Sequence, residues 1–148
     1  MKKFLPIISL ASRLTALSRD FITQEIRNAG HPEIEPCHGD VFVALFSEDG
    51  LGLVELARRC HRSKSTVSVM VRRLTALGYL KKIDNDKDIR AIKICLTKKG
   101  LGLKPIFEEI SEKLQKVVGA GFNSSELTTF EASLRQSIAN FETTLKGK

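Results

Sequence analysis

The stretch Ser63-Lys64-Ser65-Thr66-Val67-Ser68-Val69-Met70-Val71-Arg72-Arg73-Leu74-Thr75-Ala76-Leu77-Gly78 decides how the rest of the chain is organised. At about 100° per residue, Val67, Met70, Val71, Leu74, Leu77 and Gly78 fall on one side, the i, i+3, i+4, i+7 stripe of a packed helix. The other side carries Ser65, Ser68, Val69, Arg72, Arg73 and Ala76: small donors, two cations and one valine with nothing of its own to cover it. Ser63 can cap the first turn through its hydroxyl, and Gly78 supplies a C-terminal stop. The helix spans about 15 residues, roughly 22 Å. Alone, the stretch reads equally as a solvated amphipathic surface helix.

Its neighbours favour more. Leu51 to Cys60 places Leu53, Leu56, Ala57 and Cys60 on one stripe, a short helix ending just before the next begins. Two short helices joined tightly predict a helix-turn-helix. Downstream, Tyr79 to Ile83 and Ala91 to Leu96 read as strands around the polar loop Asp84 to Arg90, with Ile92, Ile94 and Leu96 alternating with Lys93 and Cys95. That is a hairpin with a charged tip. The predicted fold class is mainly α (α+β), a winged helix-turn-helix with extra N- and C-terminal helices.

In joint spacing, Glu55-Leu56-Ala57, Ser65-Thr66-Val67-Ser68, Leu74, Gly78-Tyr79-Leu80, Asp88-Ile89-Arg90 and Leu96-Thr97-Lys98-Lys99-Gly100 resemble the MarR family of bacterial transcriptional regulators. The motifs cover about a third of the chain, and beyond them the likeness lies in helix length and order. The resemblance implies a DNA-binding regulator, a repressor, working as a homodimer on an inverted repeat. In that arrangement the Ser63 helix enters the major groove, the wing reaches the minor groove, and a small ligand or stress signal relieves binding. It also implies that the first and last helices interlock two subunits.

With 148 residues, the chain fits one domain with helical extensions. It carries a net charge of +7 and has a pI near 9.5, which favour an anionic partner without separating nucleic acid from a membrane surface. Position separates them: Arg58, Arg59, Arg62, Lys64, Arg72, Arg73, Lys81 and Lys82 follow one another with no acid between, around the groove helix. Three cysteines, Cys37, Cys60 and Cys95, without paired spacing fit a reducing compartment, so the expected location is the cytoplasm. Met1-Lys2-Lys3 and the apolar run Phe4 to Ala11 imitate a signal peptide, but Pro6 interrupts the run and Arg13, Leu14, Leu17, Phe21 and Ile22 continue a helical pattern beyond it. No stretch approaches the roughly 20 apolar residues of a membrane span.

The remaining elements follow from stripes and breakers. A first helix is expected from about Ser9 to Ala29, closed by Asn28-Ala29-Gly30-His31-Pro32, and a second from Cys37 or His38 to Phe46 with Val41, Ala44 and Leu45 inward. Thr97 is expected to cap a helix running to Val118 with the stripe Phe107, Ile110, Leu114 and Val117. Gly119-Ala120-Gly121 ends it. Asn123, Ser124 or Ser125 then caps a last helix with the stripe Leu127, Phe130, Leu134, Ile138, Phe141 and Leu145. The division is residues 1–36 for an N-terminal helix and linker, 37–100 for the winged lobe and 101–148 for C-terminal helices, with both terminal parts assigned to dimerisation.

Residue by residue, Ser63, Lys64, Ser65, Thr66, Ser68 and Val69 stand nearest base edges or flanking phosphates of double-stranded DNA. The planar fork of Arg72 matches the two guanine acceptors, with a phosphate contact as the alternative, and Val69 can meet a thymine methyl. Arg73, Lys81 and Lys82 suit phosphates, and Lys87 joins Asp88 and Arg90 at the wing. By resemblance, Arg90 is the minor-groove arginine held by Asp88; by itself the pair reads as a surface salt bridge worth under about 1 kcal/mol.

A signal is harder to read. His31, Glu33, Glu35, Cys37, His38 and Asp40 gather zinc-ligand types between the first two helices, where zinc-responsive relatives place theirs. They lack repeated Cys or His spacing, and Glu112 stands where such relatives supply histidine, so no metal site is assigned and His31, Cys37 and His38 remain the candidates. Peroxide-sensing relatives keep a cysteine in the first helix, and this chain has none there; Cys60 lies on a core stripe, whereas Cys37 and Cys95 are expected nearer the surface. No cofactor is expected, and a small-molecule effector follows from resemblance only. Glycine-rich phosphate loops, His-Glu-x-x-His and Gly-x-Ser-x-Gly are all lacking, so the chain does not read as an enzyme. The rival reading is a basic winged-helix module that binds an acidic protein; a zinc- or redox-responsive regulator is the further variant.

Overall fold

The computed structural model describes residues 6–85 and 88–147, with backbone alone for residues 85 and 88–91. Its elements run α1 (Ile7–Asn28), a 3-10 turn (Pro36–His38), α2 (Gly39–Ser47), α3 (Leu53–Arg59), α4 (Lys64–Ala76), β1 (Leu80–Asn85), β2 (Asp88–Leu96), α5 (Lys98–Leu101), α6 (Lys104–Gly119) and α7 (Ser124–Lys146). The chain divides into two compact units, Met1–Ser111 and Glu112–Lys148.

The first unit is built on α4. Val67, Met70, Val71 and Leu74 are buried, as the stripe requires, and join Val41, Phe42 and Leu45 of α2, Leu56 and Ala57 of α3, and Tyr79, Leu80, Ile94 and Leu96 of the hairpin. Phe42 stands at the centre, its ring 5.9 Å from Tyr79 and 5.4 Å from Phe107. Gly78, expected on the core stripe, is exposed at φ +82°. It reverses the chain after the helix, a left-handed conformation that glycine adopts without a Cβ clash.

The wing departs from expectation in its length. β1 and β2 pair antiparallel from Leu80↔Leu96 out to Asn85↔Asp88, so most of the Asp84 to Arg90 segment is ladder. The outer part of the hairpin is held by backbone hydrogen bonds, and hydropathy does not record these. The sheet also gains a third partner: Leu51 bridges Ile94, whose N–H donates to the Leu51 carbonyl at 2.8 Å. This approach buries Cys95, which alternation with Lys93 had placed near the surface; a Cβ on Gly50 would stand 3.7 Å from its sulfur.

After the wing, Thr97 caps a helix as expected, its hydroxyl accepting from the Gly100 N–H at 3.1 Å, but that helix is only α5. The continuous run to Val118 is broken at Gly102-Leu103 before α6 begins. Pro105 has no N–H to offer the Leu101 carbonyl and its ring would press on it, so it belongs in the first turn of a new helix. Gly100 has a separate role: a Cβ there would lie 2.1 Å from the Tyr79 carbonyl oxygen, so the chain closes against the end of α4 only through a residue without a side chain.

In the second unit, α7 begins with a reciprocal cap. The Glu126 N–H donates to Asn123 Oδ1 at 2.9 Å, and the Asn123 N–H donates to the Glu126 carboxylate at 2.8 Å. Along the helix, no residue is buried.

Candidate nucleic-acid interface

The outward face of α4 is fixed at its first turn. Ser63 Oγ accepts from the Thr66 N–H at 3.1 Å and lies 2.7 Å from the Thr66 hydroxyl and 3.1 Å from that of Ser65. These hydroxyls cap the helix and still stand exposed beside Lys64. One to two turns on, Ser68 is half-buried, Val69 is 60% exposed, and Arg72 and Arg73 are exposed. Lys81 and Lys82, on the strand that leaves α4, are exposed as well. The fold therefore puts the predicted α4 and β1 residues on consecutive elements of one lobe. Lys87 lies outside the described residues, and so do the side chains of Asp88 and Arg90 with their expected ion pair.

Tertiary contacts sort the cations in a way their sequence order did not suggest. Glu55 accepts from Arg58 at 2.7 Å and from Arg59 at 2.9 Å, and these hydrogen bonds hold its carboxyl down to about 2. Arg59 also pairs with Glu48, Arg62 lies 3.5 Å from Asp40, and Arg73 lies 3.5 Å from Glu35. Among the described residues, Lys64, Arg72, Lys81 and Lys82 have no ion pair, so their charge faces solvent undivided. The i, i+3 and i, i+4 spacing of Glu55 to its arginines was readable in advance. The acids at 35, 40 and 48 arrive from other elements and were not.

Sequence reasoning also missed the fastening at the far end of α4. Tyr79 is buried, and its hydroxyl donates to Glu33 while lying 2.8 Å from His31 Nδ1, which donates to it. That hydrogen bond, ahead of smaller effects, lowers the Glu33 carboxyl, and burial first of all raises the phenol. Lys99 Nζ sits 4.1 Å over the tyrosine ring and donates to the Leu77 carbonyl at 2.8 Å, and the Thr97 hydroxyl donates to the Gly78 carbonyl at 2.6 Å. The linker after α1 and the chain after β2 both clamp the point where α4 meets the wing.

The same contacts separate His31 from the other candidate metal ligands. Cys37 and His38 join Glu35 instead, with one ligand atom from each lying within 4.8 Å of the others. Burial pushes the Cys37 thiol up and the His38 imidazole down. Cys60 and Cys95 are buried, and burial raises both thiols. No helix among the described residues is long and apolar enough to cross a membrane.

Residues 41–84 match the family model of the IclR helix-turn-helix domain, a span running from α2 into β1. The transcriptional regulator SarZ of Staphylococcus haemolyticus is 27% identical over 74 residues, half of this chain and half of that protein. Among solved structures, a MarR transcriptional regulator from Methanosarcina mazei Go1 superposes with a TM-score of 0.78 at 22% identity, covering 93% of this chain and 97% of that one. A mutant MarR from E. coli, complexed with operator DNA, gives a TM-score of 0.79 at 16% identity, covering 90% and 94%. The chain thus has the MarR-type winged helix-turn-helix fold, over nearly its whole length. The resemblance carried by the motifs from Glu55 to Gly100 is matched by the architecture around them.

Proposed function

We propose that the chain is a DNA-binding transcriptional regulator of the MarR kind, a repressor that binds an inverted repeat as a homodimer. The observation that carries this reading is the two-sided α4: its apolar stripe is buried while its other face presents Lys64 and Arg72, which have no ion-pair partner among the described residues. A helix held this way from both ends enters a major groove as a rigid body. Its N-terminal residues Ser63, Lys64, Ser65, Thr66, Ser68 and Val69 then meet bases or phosphates, Arg72 reads a guanine, Arg73, Lys81 and Lys82 hold phosphates, and Lys87, Asp88 and Arg90 bring the wing to the minor groove. Residues 1–36 and 101–148 supply the dimer interface, supported by the exposed stripe Phe130, Leu134, Ile138, Phe141 and Leu145 of α7. A small-molecule effector or stress signal relieves binding, on the resemblance alone, and the protein acts in the cytoplasm.

Selection of duplexes from a random pool tests the proposal. The expected winner is an inverted repeat with half-sites about 10 base pairs apart, bound with log affinity falling linearly in log salt. Arg72→Ala should weaken the selected site by about 1 to 3 kcal/mol and relax one base pair. A chain that enriches no duplex, or is displaced from one only by an acidic protein, refutes the reading.

A further inference from the structure

We propose that the His61 imidazole, in the turn between α3 and α4, is a proton-dependent phosphate contact, so that duplex binding takes up about one proton per chain near neutral pH. The proposal rests on the regulator reading above.

Two hydrogen bonds close the turn. The Arg62 N–H donates to the Ala57 carbonyl at 3.2 Å, and the His61 N–H donates to the Arg58 carbonyl at 3.2 Å. This way of ending a helix requires one left-handed residue at the position of His61, and glycine is usual there because it has no Cβ to press on the following carbonyl oxygen. His61 has φ +51°; the other described residues with positive φ, Gly30, Gly50, Gly78 and Gly121, are all glycines. A backbone held against the preference of its own side chain points to a use for that side chain.

No partner inside the chain supplies the use. His61 is exposed, and its ring has no hydrogen bond or ion pair among the described residues. The other two histidines are engaged: His31 Nδ1 donates to the Tyr79 hydroxyl and lies 3.8 Å from Glu33, while His38 is 3% exposed and its Nδ1 accepts from the Glu35 N–H. The charged groups on the flanking elements are Arg58 and Arg59 of α3, both tied to Glu55, Arg62 of the turn, 3.5 Å from Asp40 of α2, and Lys64 at the start of α4. Arginines already occupy Glu55 and Asp40, so a proton on His61 finds its counter-charge outside the chain.

The turn stands where that counter-charge is expected. In a helix-turn-helix the first helix crosses the DNA backbone and the second enters the groove by its N-terminal residues, which leaves the turn between them at the phosphate edge. An imidazolium donates from both ring nitrogens, and its bond to a phosphate oxygen is charge-assisted. The phosphate in turn favours the charged form, and the proton comes from solvent.

Binding of the full chain to the selected duplex is measured at about pH 6 and about pH 8, either side of the ordinary imidazole value, over a salt series and by calorimetry in two buffers of different ionisation enthalpy. At the lower pH the wild type should bind about three- to tenfold tighter, with a log–log salt slope steeper by about 0.9, and the buffers should reveal proton uptake. His61→Asn tolerates the left-handed backbone without a titrating group and should bind at both pH values as the wild type does at the higher one. His61→Gly should do the same while raising the urea midpoint, since the strain is gone. A midpoint lowered in His61→Gly would mean that the ring serves the fold, and overturns the proposal. Duplex binding without proton uptake, or a pH dependence that persists in His61→Asn or vanishes in His38→Gln instead, overturns it too and leaves the regulator reading standing. A chain that binds no duplex at either pH refutes the regulator reading, and this contact with it.

Discussion

Helices α4 and α7 carry apolar stripes of the same periodicity, both begin at a side-chain cap, and they end in opposite circumstances. In α4, Val67, Val71 and Leu74 are at most 1% exposed, whereas in α7 the stripe from Phe130 onward runs from 36% exposed at Leu134 to 71% at Leu145. The pattern in a sequence states which face of a helix favours cover. Whether the same chain provides the cover depends on which elements follow, and α4 is followed at once by a hairpin and preceded by two helices that enclose it. The apolar face of α7 is left open in the single chain, and its cover by a second copy belongs to the functional proposal.

The sharpest way to break this contrast is to charge the exposed stripe. Leu134→Asp with Phe141→Asp should leave each chain folded yet raise the dimer dissociation constant by about a hundredfold or more, because carboxylates buried without partners cost several kcal/mol. Light scattering reads the outcome: a wild type that is monomeric at micromolar concentration, or a double variant still dimeric, removes the proposed role of α7.

Two glycines extend the contrast to the backbone. Gly100→Ala would force a Cβ to within 2.1 Å of the Tyr79 carbonyl and should cost about 3 kcal/mol, near the upper end for overpacking. Gly119→Ala meets only the Leu127 methyl at 3.4 Å and should change stability by under about 0.5 kcal/mol. Urea denaturation of both variants decides whether the first unit is packed so much more tightly than the second.

A smaller loss is expected at the start of α4. Ser63→Ala removes the acceptor of the Thr66 N–H and should cost about 1 kcal/mol. Ser63→Asp should restore the cap in denaturation yet weaken duplex binding, since the new carboxylate would face phosphate; equal binding by the two variants would take Ser63 out of the interface.

The smallest effect is a pH dependence confined to the first unit. Burial lowers the His38 imidazole, so as pH falls the unfolded chain takes up the proton before the folded one. The stability from neutral His38 is therefore complete above the ordinary value of about 6.5 and is lost as pH falls from there toward the lowered value. Urea midpoints at about pH 7.5 and about pH 5.5 should differ in the wild type and differ less in His38→Gln.

Much of this molecule could be read along the chain, because the signals are local. A stripe at helical spacing, a serine three residues before the amide it caps, and a glycine that reverses the chain are set by neighbours within one or two turns, so the sequence determined α4, its two faces and the order helix, turn, helix, wing. Tertiary structure decided what distant residues bring. Leu51 added a third partner to the sheet and buried Cys95; the break before α6 was by contrast a local signal, written at Pro105 and overlooked because the apolar stripe looks continuous. Carboxylates from three other segments engaged Arg59, Arg62 and Arg73 and, among the described residues, left Lys64 and Arg72 unpaired, while the Tyr79 hydroxyl drew His31 away from Cys37 and His38. These pairings join residues 11 to 48 positions apart. Their partners are chosen by where the packed core sets each backbone, and no local periodicity encodes that.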